Sequence, residues 1–327
     1  MADNQTMGFI GLGRMGRGMA GNLLRQGADL VVHDATPEAM QPLIAAGARA
    51  AASPADVARQ VGVLFTSLPG PAEIEAVAFA GGLVDAARPG LAWFDLSTSS
   101  RALVLRLADA LATRSAAILD APVSGGPAGA ASGELVLWVG GDRAVFDRHL
   151  PLLETFARAV RHVGPIGAGT VTKLAHNLLG YTIMEAQAEA FSLAVKAGLD
   201  PLDFWEALRL GMVGKQSPLL MLTQQFLPGV YDKPAFLQRL ALKDVRLALA
   251  LAEELGVPMR LSEATLTDME AAVADGFGEA DSRAFLQLQL ARAGVTIAVD
   301  PRRIAEATAS APEGRPENLT SSTPPSR

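Results

Sequence analysis

The sequence predicts a doubly wound α/β domain with a largely parallel sheet, followed by an all-α domain. Three observations predict it. A short apolar run passes through a glycine turn directly into an amphipathic helix at Met7–Leu23, MGFIGLGRMGRGMAGNL. Strand-like and helix-like segments then alternate through residues 7–164, the order that parallel strands joined by helical crossovers require. From Pro165 onward the strand signal stops and helical periodicity takes over. A chain of 327 residues is long enough for two domains with separate cores. The expected division is an N-terminal extension over 1–6, the sheet domain over 7–166, the helical domain over 167–300 and a polar, disordered tail over 301–327.

The opening stretch carries the most specific signal. Gly8–Gly11 has strand character, Gly11-Leu12-Gly13-Arg14-Met15-Gly16 forms the turn, and Met19, Leu23 and Leu24 fall at helix spacing. Strand, Gly-x-Gly-x-x-Gly and helix start together are the context of a dinucleotide fingerprint. Gly11 permits the tight turn, Gly13 lets the backbone approach a pyrophosphate, and Gly16 lets the helix pack close to the strand. The helix N-terminus offers free N–H groups and a positive dipole end to phosphates. Phe9, Ile10, Leu12, Arg14 and Met15 complete the expected cofactor-binding stretch.

The next strand, Asp29–Asp34 (DLVVHD), ends in an acid about 20 residues on, where the fingerprint expects a carboxylate for the ribose hydroxyls. Ala35 follows Asp34, with no arginine to hold a 2′-phosphate, so NAD is expected over NADP. Taken alone, Asp34 with Thr36-Pro37 also reads as a strand-end acid or helix cap. Further strands are expected at Val61–Leu68, Leu91–Leu96, Ala116–Asp120, Leu135–Val139 and Val160–Val163. Helices are expected at Pro37–Ala46, Glu73–Ala80, Arg101–Ala112 and Ala144–Phe156. The helical domain should open with a long helix over Gly169–Lys196, a bridge out of the sheet domain. Pro201–Leu210, Ser217–Phe226, Pro234–Leu255, Pro258–Asp275 and Ser282–Ala293 should follow, punctuated by proline or glycine.

Composition narrows the function classes. Half the residues are hydrophobic and 19% charged, as in a compact globular chain. No apolar run is long enough to span a bilayer, and Met1–Thr6 lacks a signal-peptide pattern, so cytoplasmic residence is the expectation. A net charge of −6 argues against nucleic-acid binding. There are no cysteines, and the four scattered histidines show no metal-ligand spacing, so no metal site is expected. The absence of Gly-x-Ser-x-Gly disfavours a serine hydrolase.

Three other stretches bear chemistry. In Asp120–Leu135, DAPVSGGPAGAASGEL, Ser124, Gly125 and Gly126 can present a hydroxyl and consecutive backbone N–H groups to a carboxylate. A flexible linker is the alternative. In Gly167–Tyr181, GAGTVTKLAHNLLGY, Lys173 and Asn177 lie four apart on one helix face, with His176 on the same side. A lysine beside a nicotinamide can exchange a proton with an alcohol or carbonyl oxygen. Taken without context, a lysine on an amphipathic helix reads as a surface residue. In Leu240–Ala250, LALKDVRLALA, Lys243 and Asp244 interrupt an apolar helix, which a solvated face also explains.

Together these four stretches, in this order, resemble the β-hydroxyacid dehydrogenase family, which includes 3-hydroxyisobutyrate dehydrogenase and tartronate semialdehyde reductase. The similarity runs from about Met7 to Gly294. It implies a fold like 6-phosphogluconate dehydrogenase: a Rossmann-type domain, a long interdomain helix and an all-α domain used in forming a homodimer or homotetramer. It implies Lys173 as general acid/base, Asn177 as substrate-orienting, and Ser124, Gly125 and Gly126 as the substrate carboxylate site. Leu68, Pro69 and Thr98 fall where the family touches the dinucleotide, and Lys243 where it closes over the nicotinamide end. The family usually has two asparagines after the lysine; here they are His176 and Asn177, which leaves His176 either a substrate contact or a neighbour without a role. The implied reaction is reversible NAD-dependent oxidation of a small 3-hydroxy acid, 3-hydroxyisobutyrate-like, to a semialdehyde or β-keto acid. Imine reduction, semialdehyde reduction and a non-catalytic NAD-binding scaffold are the alternatives. Side chains reading the far end of the substrate are expected around Tyr181 or Met212–Gln216.

Overall fold

The computed structural model describes residues 6–215 and 217–309. The chain divides into two compact units after Leu178, inside the long helix.

The first unit is built on a nine-stranded sheet. In chain order its strands are β1 (Met7–Ile10), β2 (Leu30–His33), β3 (Arg49–Ala50), β4 (Val63–Thr66), β5 (Ala92–Asp95), β6 (Ala117–Asp120), β7 (Val123–Ser124), β8 (Leu135–Gly140) and β9 (Ala157–Gly164). Its helices are α1 (Gly16–Arg25), α2 (Pro37–Ala45), α3 (Pro54–Gln60), α4 (Pro71–Glu75), α5 (Leu83–Ala86), α6 (Arg101–Ala112), α7 (Gly126–Ser132), α8 (Arg143–Leu153) and the start of α9 (Ala168–Lys196). The spatial order is β3-β2-β1-β4-β5-β6-β8-β7, with β9 on β8. The pairings from β3 to β6 are parallel, and β8 runs antiparallel to β6 and β7.

Alternation along these strands explains why both faces of the sheet are covered. Phe9, Val32, Phe65, Phe94 and Leu119 point into one core, while Ile10, Val31, Leu64, Trp93 and Ile118 point into the other. A strand buried on both faces reads as a continuous apolar run, as VLFT and AWFD do. The register aligns the strand ends: Ile10 opposes His33 and Thr66, Thr66 opposes Asp95, and Asp95 opposes Asp120. The loops that follow these residues therefore emerge along one edge. Strand order reverses between β1 and β4, and ligands of such sheets bind at that crevice.

The structure differs from the expected elements at several points. The Asp120–Leu135 stretch is not a plain loop: β7 pairs with β8, and Gly126–Ser132 forms α7. Pro127 in its first turn and the alanines behind it favour a helix, and glycines with positive φ at 125 and 133 bound it. The short β3 and helices α3 and α5 were not expected either. For α3 the signal was present, since Ser53 caps Asp56 N–H at 3.1 Å just ahead of Pro54.

The second unit is helical: the remainder of α9, then α10 (Pro201–Leu210), α11 (Met212–Lys215), α12 (Gln238–Leu255), α13 (Arg260–Ala274), α14 (Leu286–Arg292) and α15 (Pro301–Ala309). Glu189 of α9 caps α13, accepting the Leu261 N–H at 2.7 Å and the Ser262 N–H and hydroxyl at 3.1 and 2.7 Å. Burial pushes its carboxyl up, but these donors outweigh it and hold the carboxyl below its usual range. The expected helix over Ser217–Phe226 is only a 3₁₀ turn at Leu220–Leu222. Helix α12 starts at Gln238 rather than Pro234, because Ala235 N–H is held by the buried Asp281 carboxylate at 2.9 Å. Helix α15 replaces the first part of the expected loose tail; Asp300 caps it by accepting the Arg302 N–H at 2.8 Å. The rest of that tail, the extension before Thr6, and Gln216 lie outside the described residues. Among the described residues no helix is long and apolar enough to cross a membrane.

Candidate active site

At the strand-order reversal lies a cavity of about 610 Å³, lined by residues that include Gly11, Gly13, Gly16, Asp34, Leu68 and Pro69. Its floor is the glycine turn, where the packing leaves no room for a side chain at Gly11 or Gly16. Gly11 has φ +88°, and a Cβ on it would sit 2.4 Å from the Ser67 carbonyl oxygen. A Cβ on Gly16 would sit 1.8 Å from the Gly11 carbonyl oxygen, so α1 can approach β1 only without a side chain. Above Gly13 there is no atom within 4 Å. No side chain caps α1; in its first turn the Arg17 and Gly18 N–H groups donate to the Gly13 and Met15 carbonyls at 3.1 Å, and the positive end of the helix dipole faces the turn. The glycine turn, the dipole end of α1 and the open Gly13 position suit a dinucleotide.

Asp34 lines the rim. Its carboxylate accepts the Leu12 N–H at 2.6 Å and the Thr36 N–H at 2.8 Å. It is both the strand-end cap and a cavity residue, because each oxygen keeps lone pairs for a further donor. Ile10, Arg14 and Met15 also line the cavity. Phe9 and Leu12 do not: both are buried in the core. Alternation along β1 turns Phe9 away from the crevice, where its ring stacks on Phe65 at 6.0 Å. The Leu12 backbone N–H is the one donated to Asp34. His33, Ala35, Ser67, Glu73, Ala76 and Val77 line the cavity as well, without having been expected. His33 and Ser67 could have been found from register, since His33 ends β2 and Ser67 directly follows the end of β4 at Thr66.

A second cavity of about 390 Å³ shares Met15, Ser67, Leu68 and Pro69 with the first. Its other walls include Thr98, Ser124, Gly125, Gly126, Lys173, His176 and Asn177. Thr98 lines this second cavity, beside the residues shared with the dinucleotide crevice. Gly125 and Gly126 adopt φ of +129° and +64°, which turns the chain from β7 into α7 and exposes the backbone to the cavity. Lys173 and Asn177 face it from successive turns of α9. Lys173 is half-buried, and burial pulls its ammonium below the usual lysine range. His176 Nδ1 lies 3.2 Å from Asn177 Oδ1, and its ring packs against Trp138 with centroids 4.9 Å apart. Lys243 belongs to the helical unit, where it is exposed on α12 and pairs with Asp244 at 2.8 Å. Among the described residues no cluster of three or more acids or histidines could hold a metal.

The fold and the two adjoining cavities define a two-domain NAD(P)-dependent dehydrogenase. Residues 6–164 match the NAD-binding domain of 6-phosphogluconate dehydrogenase. Residues 167–289 match the family described as the NAD-binding domain of NADP-dependent 3-hydroxyisobutyrate dehydrogenase. The 2-(hydroxymethyl)glutarate dehydrogenase of Eubacterium barkeri is 33% identical over 298 residues, covering 91% of this chain and 99% of that one. The chain belongs to the β-hydroxyacid dehydrogenase family. It is an NAD(P)-dependent enzyme acting on a CH–OH group of a hydroxy acid. The 3-hydroxyisobutyrate dehydrogenase of Mycobacterium tuberculosis, solved with L-serine, is 28% identical with a TM-score of 0.61, covering 87% of this chain and 99% of that one. An imine reductase of Myxococcus stipitatus, solved with NAD+, is 19% identical with a TM-score of 0.76, covering 86% of this chain and 98% of that one. At that identity the likeness is one of fold.

Proposed function

We propose that the chain oxidises a small 3-hydroxy acid, 3-hydroxyisobutyrate-like, reversibly to its semialdehyde or β-keto acid, with NAD preferred and Lys173 as the general acid/base. The observation carrying this reading is that Lys173, Asn177 and the Ser124–Gly126 turn line one cavity that shares a wall with the dinucleotide crevice. The Ser124 hydroxyl and the backbone N–H groups of Gly125 and Gly126 hold the substrate carboxylate. Asn177 orients the hydroxyl, and the neutral Lys173 amine takes its proton as the carbinol carbon becomes a carbonyl. When bound, the nicotinamide supplies the acceptor for the hydride leaving that carbon. Holding the reacting atoms in line supplies about 7–11 kcal/mol of the barrier.

Asp34 supports NAD: its carboxylate accepts from a ribose 2′-OH and repels a 2′-phosphate. By the family resemblance Lys243 is assigned to the nicotinamide end. The test is a panel of hydroxy acids with NAD and NADP, following the reduced cofactor. A 3-hydroxy acid should turn over with NAD at least tenfold better in kcat/KM than with NADP. Turnover confined to ketone-plus-amine mixtures would replace this reading with imine reduction.

We also infer a homodimer or homotetramer formed through the helical unit, where Tyr181, Met184, Leu202, Met212, Val213 and Leu220 expose apolar surface. Sedimentation velocity should give a multiple of the 34.0 kDa chain mass; a monomer at micromolar concentration would refute it.

A further inference from the structure

Asp120 is the last residue of β6 and the first of the DAPVSGG stretch, and it is almost wholly buried. Its two carboxylate oxygens face the start of α9. Oδ1 accepts the Gly167 N–H at 2.8 Å, and Oδ2 accepts the Thr170 N–H at 2.6 Å. Gly167 immediately precedes α9 and Thr170 lies in its first turn, with Lys173 on the next turn. The surrounding backbone is cut away to allow this. A Cβ on Gly140 would sit 2.5 Å from Asp120 Oδ1, and a Cβ on Gly169 would sit 2.4 Å from the Asp120 carbonyl oxygen and 2.5 Å from that of Trp138. The helix start is therefore seated directly on the backbone of β6 and β8. Burial pushes the Asp120 carboxyl up, while the Thr170 and Gly167 N–H groups favour its charged form.

We infer that Asp120 is a positioning residue: its carboxylate clamps the first turn of α9 to the strand that leads into Ser124–Gly126, and so sets the distance between the Lys173 amine and the bound substrate carboxylate. This rests on the reading of Lys173 as the acid/base. The physical argument is one of leverage. The carboxylate loop and the lysine sit on segments far apart in sequence, and the clamp ties them within one buried group. A shallow N-terminal turn held only by solvent would fray, as helix ends do. A misplacement of about 1 Å between reacting groups costs up to about 100-fold in rate.

The test uses the full chain. Asp120→Asn keeps the shape but turns one acceptor into a donor facing an N–H. It should lower kcat about 10- to 100-fold while the KM for NAD stays within about twofold. Leu107→Ala, a truncation in the core under α6, should lower Tm without this loss of kcat at temperatures below the transition. Amide hydrogen exchange supplies a readout independent of turnover. In the unsubstituted protein the Gly167 and Thr170 amides should exchange as slowly as sheet-core amides, and in Asp120→Asn they should speed up selectively. Three results would overturn the clamp: kcat preserved in Asp120→Asn, a loss no larger than that of Leu107→Ala, or free exchange of those amides in the unsubstituted protein. The exchange measurement also stands if no hydroxy acid turns over, so failure of the clamp and failure of the proposed reaction are distinguishable.

Discussion

Replacing Lys173 by alanine should lower kcat for hydroxy-acid oxidation by about 10²–10⁴-fold, the usual contribution of a positioned acid/base, with NAD affinity unchanged. Lys173 lines the second cavity and not the dinucleotide crevice, so the two properties separate. The pH dependence follows from the same residue. Burial lowers its ionisation below the usual lysine range, and oxidation needs the neutral amine. The oxidation rate should therefore rise with pH through an ionisation lying below that range, and the reductive rate, which needs the ammonium, should fall through it. Lys173→Arg should abolish this limb, because guanidinium does not release its proton. Near-normal turnover in Lys173→Ala, measured by steady-state kinetics, would remove Lys173 from the mechanism.

Gly16→Ala carries the second large effect. The new methyl would meet the Gly11 carbonyl oxygen at 1.8 Å and crowd Phe9 as well, so α1 must back away from β1. Overpacking of backbone in this way costs about 3 kcal/mol or more. The displaced turn also loses its fit to a pyrophosphate. Calorimetry should show a lower Tm, and titration should show loss of dinucleotide binding. Gly27→Ala serves as the comparison. Gly27 closes the same helix at φ +82° with nothing within 4 Å of its Cβ position, so it costs only the backbone strain. Equal effects from the two would show that close helix–strand approach is not what the fingerprint glycine provides.

How legible these features were depended on how local their causes are. The glycine turn, Asp34 and the β1–α1 unit were readable because each is fixed by residues adjacent in sequence. The same holds for Lys173 and Asn177, whose common face follows from helical spacing alone. Helix α7 was hidden because its glycines resemble a loop, and only the alanines between them argue otherwise. The start of α12 was unreadable for a different reason. Asp281, far along the chain, takes up the Ala235 N–H and holds back a segment whose own periodicity is helical. Phe9 was placed at the cofactor by its position in the motif, and strand alternation turns it into the core instead. The clamp at Asp120 has the same long reach. Its partners lie 47 and 50 residues downstream, and no spacing rule links them.

The contact between Trp138 and His176 has a practical consequence. Of the three tryptophans, Trp93 is fully buried and hydrogen-bonded to Thr66, and Trp205 stands on an exposed part of α10. Trp138 abuts His176, which lines the second cavity. Its emission is an intrinsic optical signal for events there, so occupancy of the lysine pocket should be readable by fluorescence without any attached dye.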